Sequence, residues 1–198
     1  MLLDKRGVHF IGIGGIGMSG IAIVLLEMGY HVSGSDLESN DLTEKIKRMG
    51  GEVFKGHAPL NIPKDVELVV YSSSISKDNP ELVIAKSRSI TVVHRAALLA
   101  ELLNRKKGIA VTGTHGKTTT TSLISVMLEN CNLDPTVIIG GEVDRFRGNA
   151  KLGRGKYVVA EADESDSSFL RFRPSYSVIT NIEMEHVDHF KTLKAVRT

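Results

Sequence analysis

The sequence predicts an α/β protein with two parallel sheets in succession, and two observations carry that prediction. Strand-like and helix-like segments alternate along the 198 residues without repeats or low-complexity stretches. Two glycine-rich turns also each lie between an apolar strand and an apolar helix, one near residue 12 and one near residue 113.

The elements follow in order. A buried strand over 8–13 leads to a helix over 17–28 whose Met18, Ile21, Leu25 and Met28 share one face. A strand over 31–35, a helix over 42–49, a weaker strand around Val53 and a strong strand over 67–71 come next. Helices over 80–86 and 95–104 flank a strand over 90–93, which completes a Rossmann-like doubly wound sheet in a first domain, residues 1–105. The polar run 104–108 reads as the boundary. A second domain from residue 108 to 198 then opens a P-loop ATPase-type α/β series. Its elements are a strand to Thr112, a helix over 119–130, a strand over 136–139, a Gly/Arg/Asn-rich loop over 144–155, and strands over 157–160 and 177–181.

Composition excludes several classes. Hydrophobic residues make up 41% and aromatics 5%, as in an ordinary globular α/β protein. The net charge is +2 with no basic or acidic block, so nothing points to nucleic acid or a membrane surface, and a small anionic ligand is the better expectation. The nearly uncharged stretch 8–28 contains glycines at 12, 14, 15, 17 and 20, which make a poor lipid-facing helix. Cys131, the single cysteine, can form no internal disulfide and reads as an inert packing thiol. These features predict a cytoplasmic protein.

The second glycine turn is the more specific. In Gly113-Thr114-His115-Gly116-Lys117-Thr118-Thr119, backbone N–H groups converge on an anion at a helix N-terminus. Lys117 reaches terminal phosphates and Thr118 offers a hydroxyl to Mg²⁺, so this is an ATP-phosphate site. The usual P-loop has four residues between its glycines, whereas Thr114 and His115 alone stand between Gly113 and Gly116. The first turn matches G-x-G-x-x-G at Gly12, Gly14 and Gly17, with Gly15 beside them, and Asp36 ends the next strand where a ribose-binding acid sits. Taken alone, it indicates a dinucleotide or a nucleotide diphosphate and does not say which; glycines serving only helix–sheet packing are the competing explanation.

Two downstream clusters leave strands on the edge where open α/β sheets place ligands. The first runs from Ala160 through Glu161 and Asp163 to Asp166, and the second contains Glu183, Glu185, His186, Asp188 and His189. A solvated loop is the alternative for each. Beside a phosphate loop, a carboxylate, Thr118 and phosphate oxygens suit Mg²⁺, and a histidine suits a second metal.

Together these motifs resemble the Mur ligases, the ATP-dependent amide-forming enzymes of peptidoglycan precursor synthesis. The similarity covers essentially the whole chain: the 12–20 turn, Gly34-Ser35-Asp36, Tyr71-Ser72-Ser73-Ser74-Ile75, Asp78-Asn79-Pro80-Glu81, His94-Arg95-Ala96, the shortened loop from Thr112, the cluster from Ala160 and Thr180-Asn181-Ile182-Glu183. The resemblance implies that Thr118, Glu161 and His186 bind magnesium and that the first domain takes the UDP part of UDP-N-acetylmuramate. It also implies that ATP phosphorylates the muramyl carboxylate before the amine of L-alanine attacks, with Lys117 and the metals stabilising the transferred phosphoryl group.

The family pattern has Asp before the histidine where this chain has Glu185, which leaves the role of Glu185 open. The three-domain layout of the family also implies that residues 1–198 are a fragment, expected to be inactive by themselves. A related ligase that reattaches murein peptide shares the Thr-His-Gly-Lys loop, and a non-catalytic nucleotide-binding fragment is a further alternative. An NAD-dependent oxidoreductase built on the first turn would leave the second loop and the acidic and histidine clusters without a purpose.

Overall fold

A computed structural model of the chain describes residues 1–162 and 168–183. Two compact units are present. The first comprises Met1–Leu99 with Ala150–Leu152, and the second Ala100–Asn149 with the described residues from Gly153 onward.

In the first unit, β1 (Gly7–Ile11), β2 (His31–Asp36), β3 (Glu52–Lys55), β4 (Leu68–Tyr71) and β5 (Thr91–His94) form one sheet in the order β3-β2-β1-β4-β5, with every pair parallel. The order reverses at β1, as in a doubly wound sheet. Crossovers are made by α1 (Ile16–Glu27), α2 (Asp41–Arg48) and α3 (Pro80–Ser87), and α4 (Arg95–Asn104) follows β5. Ile11 is in register with Ser35 of β2 and Tyr71 of β4, so the first glycine turn leaves the carboxyl edge of the sheet between two strand ends. Under one part of the unit, Ile11, Val69, Leu82 and Ala85 pack with Ile62 and Val66.

Helix α1 departs from the one-faced reading. Residues Met18 through Leu25 are all buried, while Met28 is only half-buried. The apolar residues run all round this helix, so it is enclosed on every side. Each fully buried aliphatic chain there contributes ~1.5–3 kcal/mol. Helix α2 instead has a charged outer face and is fixed at its start by Asn40, whose side chain accepts from the Thr43 N–H at 2.9 Å.

The other sheet is built from β6 (Lys107–Thr112), β7 (Thr136–Val143), β8 (Gly148–Lys151, whose last two residues are grouped with the first unit), β9 (Tyr157–Glu161) and β10 (Tyr176–Ile179), with α5 (Lys117–Asn130) after β6. Its strand order is β10-β6-β9-β7-β8, with β6 parallel to both β9 and β10 and β7 parallel to β9. Strand β8 corrects the reading of 144–155 as a loop. Glycine and asparagine lower strand propensity, but Gly148, Asn149 and Ala150 are buried beside β7, and that packing decides the local conformation. Cys131 corrects another expectation: it caps the C-terminus of α5 and is exposed rather than packed.

No helix among the described residues is long and apolar enough to cross a membrane.

Candidate functional site

The second glycine turn sits where β6 meets α5. Val111 is in register with Glu161 on one side, and Thr112 with Ile179 on the other, so the loop emerges between the ends of β9 and β10. Gly113 has φ +130° and Gly116 φ +79°, both in the region that favours glycine. At Gly113 the space is closed as well: a β-carbon would lie 2.2 Å from Thr180 Oγ1 and 2.8 Å from the Asn181 carbonyl oxygen. Gly116, which has no side chain to cap with, is the N-cap of α5.

The end of β10 straps the loop in place. Asn181 Oδ1 accepts from the His115 N–H at 2.9 Å, and Thr180 Oγ1 donates to the His115 carbonyl at 2.6 Å. Asn181 Nδ2 reaches the same carbonyl at 3.1 Å, while the Glu183 N–H donates to Thr114 Oγ1 at 3.0 Å. Thr180 and Asn181, quoted within the family resemblance but given no role there, therefore brace the loop. The signal was present only as the Thr-Asn pair following a strand.

Lys117 Nζ donates to the Gly113 carbonyl at 2.6 Å and lies 3.5 Å from that of Thr114, so its ammonium is folded over the mouth of the loop. Thr118, the next residue along α5, has its hydroxyl 3.4 Å from Glu161 Oε2 at the end of β9. Glu161 is oriented by a third element, since its Oε1 accepts from the Gly140 N–H at 2.8 Å. The pair supplies hydroxyl and carboxylate oxygens, the donor type Mg²⁺ prefers, next to a turn suited to phosphate. Thr119 follows in the first turn of α5 and is exposed. His186 and Glu185 lie outside the described residues, as do Asp163, Asp166, Asp188 and His189.

The first glycine turn is organised by the end of β2. The Gly12 and Ile13 N–H groups donate to the Ser35 carbonyl at 2.8 and 3.0 Å, and the Gly14 N–H donates to Asp36 Oδ2 at 2.8 Å. Asn40 Nδ2 holds the Gly14 carbonyl at 3.0 Å. The structure thus places Asp36 at the end of β2 against the turn, where its carboxylate braces the Gly14 N–H. On the other side, a β-carbon at Gly17 would come within 3.1 Å of Arg95 Nη1, so a guanidinium stands beside this turn. Gly15, at the N-cap of α1, is exposed at the same place. Ser73 Oγ and His94 Nε2, 3.0 Å apart, add polar groups at the ends of β4 and β5.

Beneath this turn lies a buried polar cluster that the sequence does not reveal. The Glu81 side chain is fully buried and takes four hydrogen bonds: from Ser35 Oγ at 2.6 Å, His9 Nε2 at 3.3 Å, Asn61 Nδ2 at 2.7 Å and the Ala58 N–H at 3.1 Å. Burial disfavours its charge, but the hydrogen bonds from His9, Ser35 and Asn61, with the charge on His9, outweigh burial and hold the carboxyl below the ordinary glutamate value. A depressed native value means that the stabilisation is fully present above the ordinary carboxylate range and is lost as pH falls through the native value. Glu81→Gln should therefore cost the first unit about 1.5–3 kcal/mol at pH 7 and progressively less in acid. Denaturant titrations of both proteins across that range check this; an equal gap at every pH would contradict it.

Residues 7–107 match the Mur ligase family, catalytic domain, and residues 111–198 match the Mur ligase middle domain. The chain is 56% identical over 198 residues to a UDP-N-acetylmuramate–L-alanine ligase of Aquifex aeolicus, covering all of this chain and 43% of that protein. The crystal structure of a UDP-N-acetylmuramate–alanine ligase from Thermotoga maritima superposes with TM-score 0.90 at 37% identity, over 96% of this chain and 45% of that one. A Neisseria UDP-N-acetylmuramate:L-alanyl-γ-D-glutamyl-meso-diaminopimelate ligase superposes with TM-score 0.88 at 28% identity, over 97% and 65%. The chain spans about two fifths of the length of the curated relatives it matches.

Proposed function

The chain belongs to the Mur ligase family, and on that premise we propose that it carries the two nucleotide sites of an ATP-dependent ligase joining L-alanine to UDP-N-acetylmuramate in the cytoplasm. The observation that supports this most is the juxtaposition of Lys117, the 113–116 turn and the Thr118–Glu161 pair at one strand edge. The first glycine turn, with Asp36 and Arg95 at its sides, supplies a place for a UDP-sugar diphosphate in the other unit.

The chain's residues have distinct tasks in that reaction. The 113–116 backbone cradles the ATP phosphates, and Lys117 transfers its ammonium from the Gly113 carbonyl to phosphate oxygens. Thr118 and Glu161 would hold Mg²⁺, with His186 as the further ligand that the family resemblance implies, and the Gly140 N–H fixes the Glu161 carboxylate beside Thr118. The bound metal supplies charge neutralisation for the phosphates. The γ-phosphoryl group passes from ATP to the muramyl carboxylate, releasing ADP. The alanine amine then attacks the acyl carbon, the C–N bond forms, and inorganic phosphate leaves as the nitrogen gives up its proton. The murein-peptide ligase reading shares both nucleotide sites and differs in the amine accepted. The higher identity to the alanine ligase of Aquifex aeolicus favours alanine.

Glu161→Gln tests the metal assignment. The variant should bind ATP about 10-fold more weakly than the parent when Mg²⁺ is present, through loss of a charged ligand, and equally well when Mg²⁺ is chelated. Calorimetric titration with ATP in both conditions measures it. An unchanged Mg²⁺ dependence would reduce Glu161 to a strand-end residue.

A further inference from the structure

Glu81 is remote in sequence from every motif of the first glycine turn, yet its contacts converge on the backbone that shapes it. Ser35 is the link. Its hydroxyl donates to Glu81 Oε2 at 2.6 Å, so the hydrogen bond between Ser35 Oγ and His57 Nδ1, 2.8 Å long, has the imidazole N–H as donor. The carbonyl of the same residue receives the Gly12 and Ile13 N–H groups. The neighbouring residue, Asp36, receives the Gly14 N–H on its carboxylate and the Gly56 N–H on its carbonyl, the latter at 2.7 Å. Glu81 grips the 56–61 segment too, through Ala58 N–H and Asn61 Nδ2. One carboxylate thus ties together β1 through His9, the end of β2, the turn after β3 and the start of α3.

A buried charge is a poor choice for stability alone, because apolar side chains of similar volume fill such a space at least as well. What a fully satisfied polar cluster does provide is a single geometry, here at the strand end that presents three consecutive turn residues.

We propose that Glu81 is a positioning residue for nucleotide binding, holding the Gly12-Ile13-Gly14 backbone in its ligand-ready shape through Ser35. This rests on the reading of the first unit as a UDP-sugar site, and the experiment separates the two. Glu81→Gln, Ser35→Ala and the double variant are compared with the parent by calorimetry with UDP-N-acetylmuramate. Amide ¹H–¹⁵N spectra of the free proteins are recorded in parallel, at a temperature where circular dichroism shows each to be folded.

Each single variant should bind the UDP-sugar about 10-fold more weakly, the effect of one charge-assisted hydrogen bond. The double variant should lose little more than E81Q alone, because the two residues act in series. The amide resonances of Gly12, Ile13 and Gly14 should shift in both single variants, and ATP affinity should stay unchanged. Additive losses, or unmoved amide resonances in folded E81Q, would overturn the proposal. Ser35→Ala keeps the charge with three of its four hydrogen bonds, and carries the same resonance test if E81Q does not fold. Absence of heat from the parent with UDP-N-acetylmuramate would defeat the UDP-sugar reading, while the amide resonances would still decide whether Glu81 positions the turn.

Discussion

Lys117→Ala should weaken ATP binding by about two orders of magnitude, since the ammonium is expected to contact more than one phosphate oxygen and each charge-assisted hydrogen bond contributes about 1.5–3 kcal/mol. The ammonium already stands over the loop mouth, 2.6 Å from the Gly113 carbonyl, so little rearrangement is needed to meet an anion. Binding of UDP-N-acetylmuramate should remain within about twofold of the parent, because the residues assigned to it belong to the other unit. Parallel titrations with Mg-ATP and with the UDP-sugar measure both. Equal ATP affinity in parent and variant would remove the loop from the site.

Gly113→Ala should do more damage by a different route. The backbone there, at φ +130°, is strained for any L side chain, and the added carbon would collide with Thr180 Oγ1 and the Asn181 backbone. The strap from β10 would have to move, and with it the hydrogen bonds that fix His115. A combined cost of about 3 kcal/mol or more is expected, with a fall of at least about 12 °C in the thermal transition of the second unit and loss of ATP binding. Calorimetric melting of the variant in parallel with ATP titration checks this; a parent-like transition would show that the turn tolerates a β-carbon.

The two glycine turns were legible in the sequence because their chemistry is local. Strand, glycine, lysine or acid, and helix occur within a few residues, and the structure keeps them in that order between β1 and α1 and between β6 and α5. The supports were not legible, because they join residues far apart in the chain. Glu81 reaches His9 across 72 positions, and Asn181 reaches His115 across 66. No periodicity marks a glutamate at the start of a helix as buried; only packing against β1 and β2 makes it so. Strand β8 was missed for a related reason, since neighbours in the sheet impose a conformation that Gly148 and Asn149 do not favour by themselves.

In the proposed ligase the first glycine turn serves a UDP-sugar and the second serves ATP. This assignment is tested most directly by titrating the chain calorimetrically with UDP-N-acetylmuramate and, separately, with NAD. The Asp36-braced turn with Arg95 beside Gly17 predicts saturable binding of UDP-N-acetylmuramate and much weaker or undetectable binding of NAD. Tighter binding of NAD than of the UDP-sugar would contradict it.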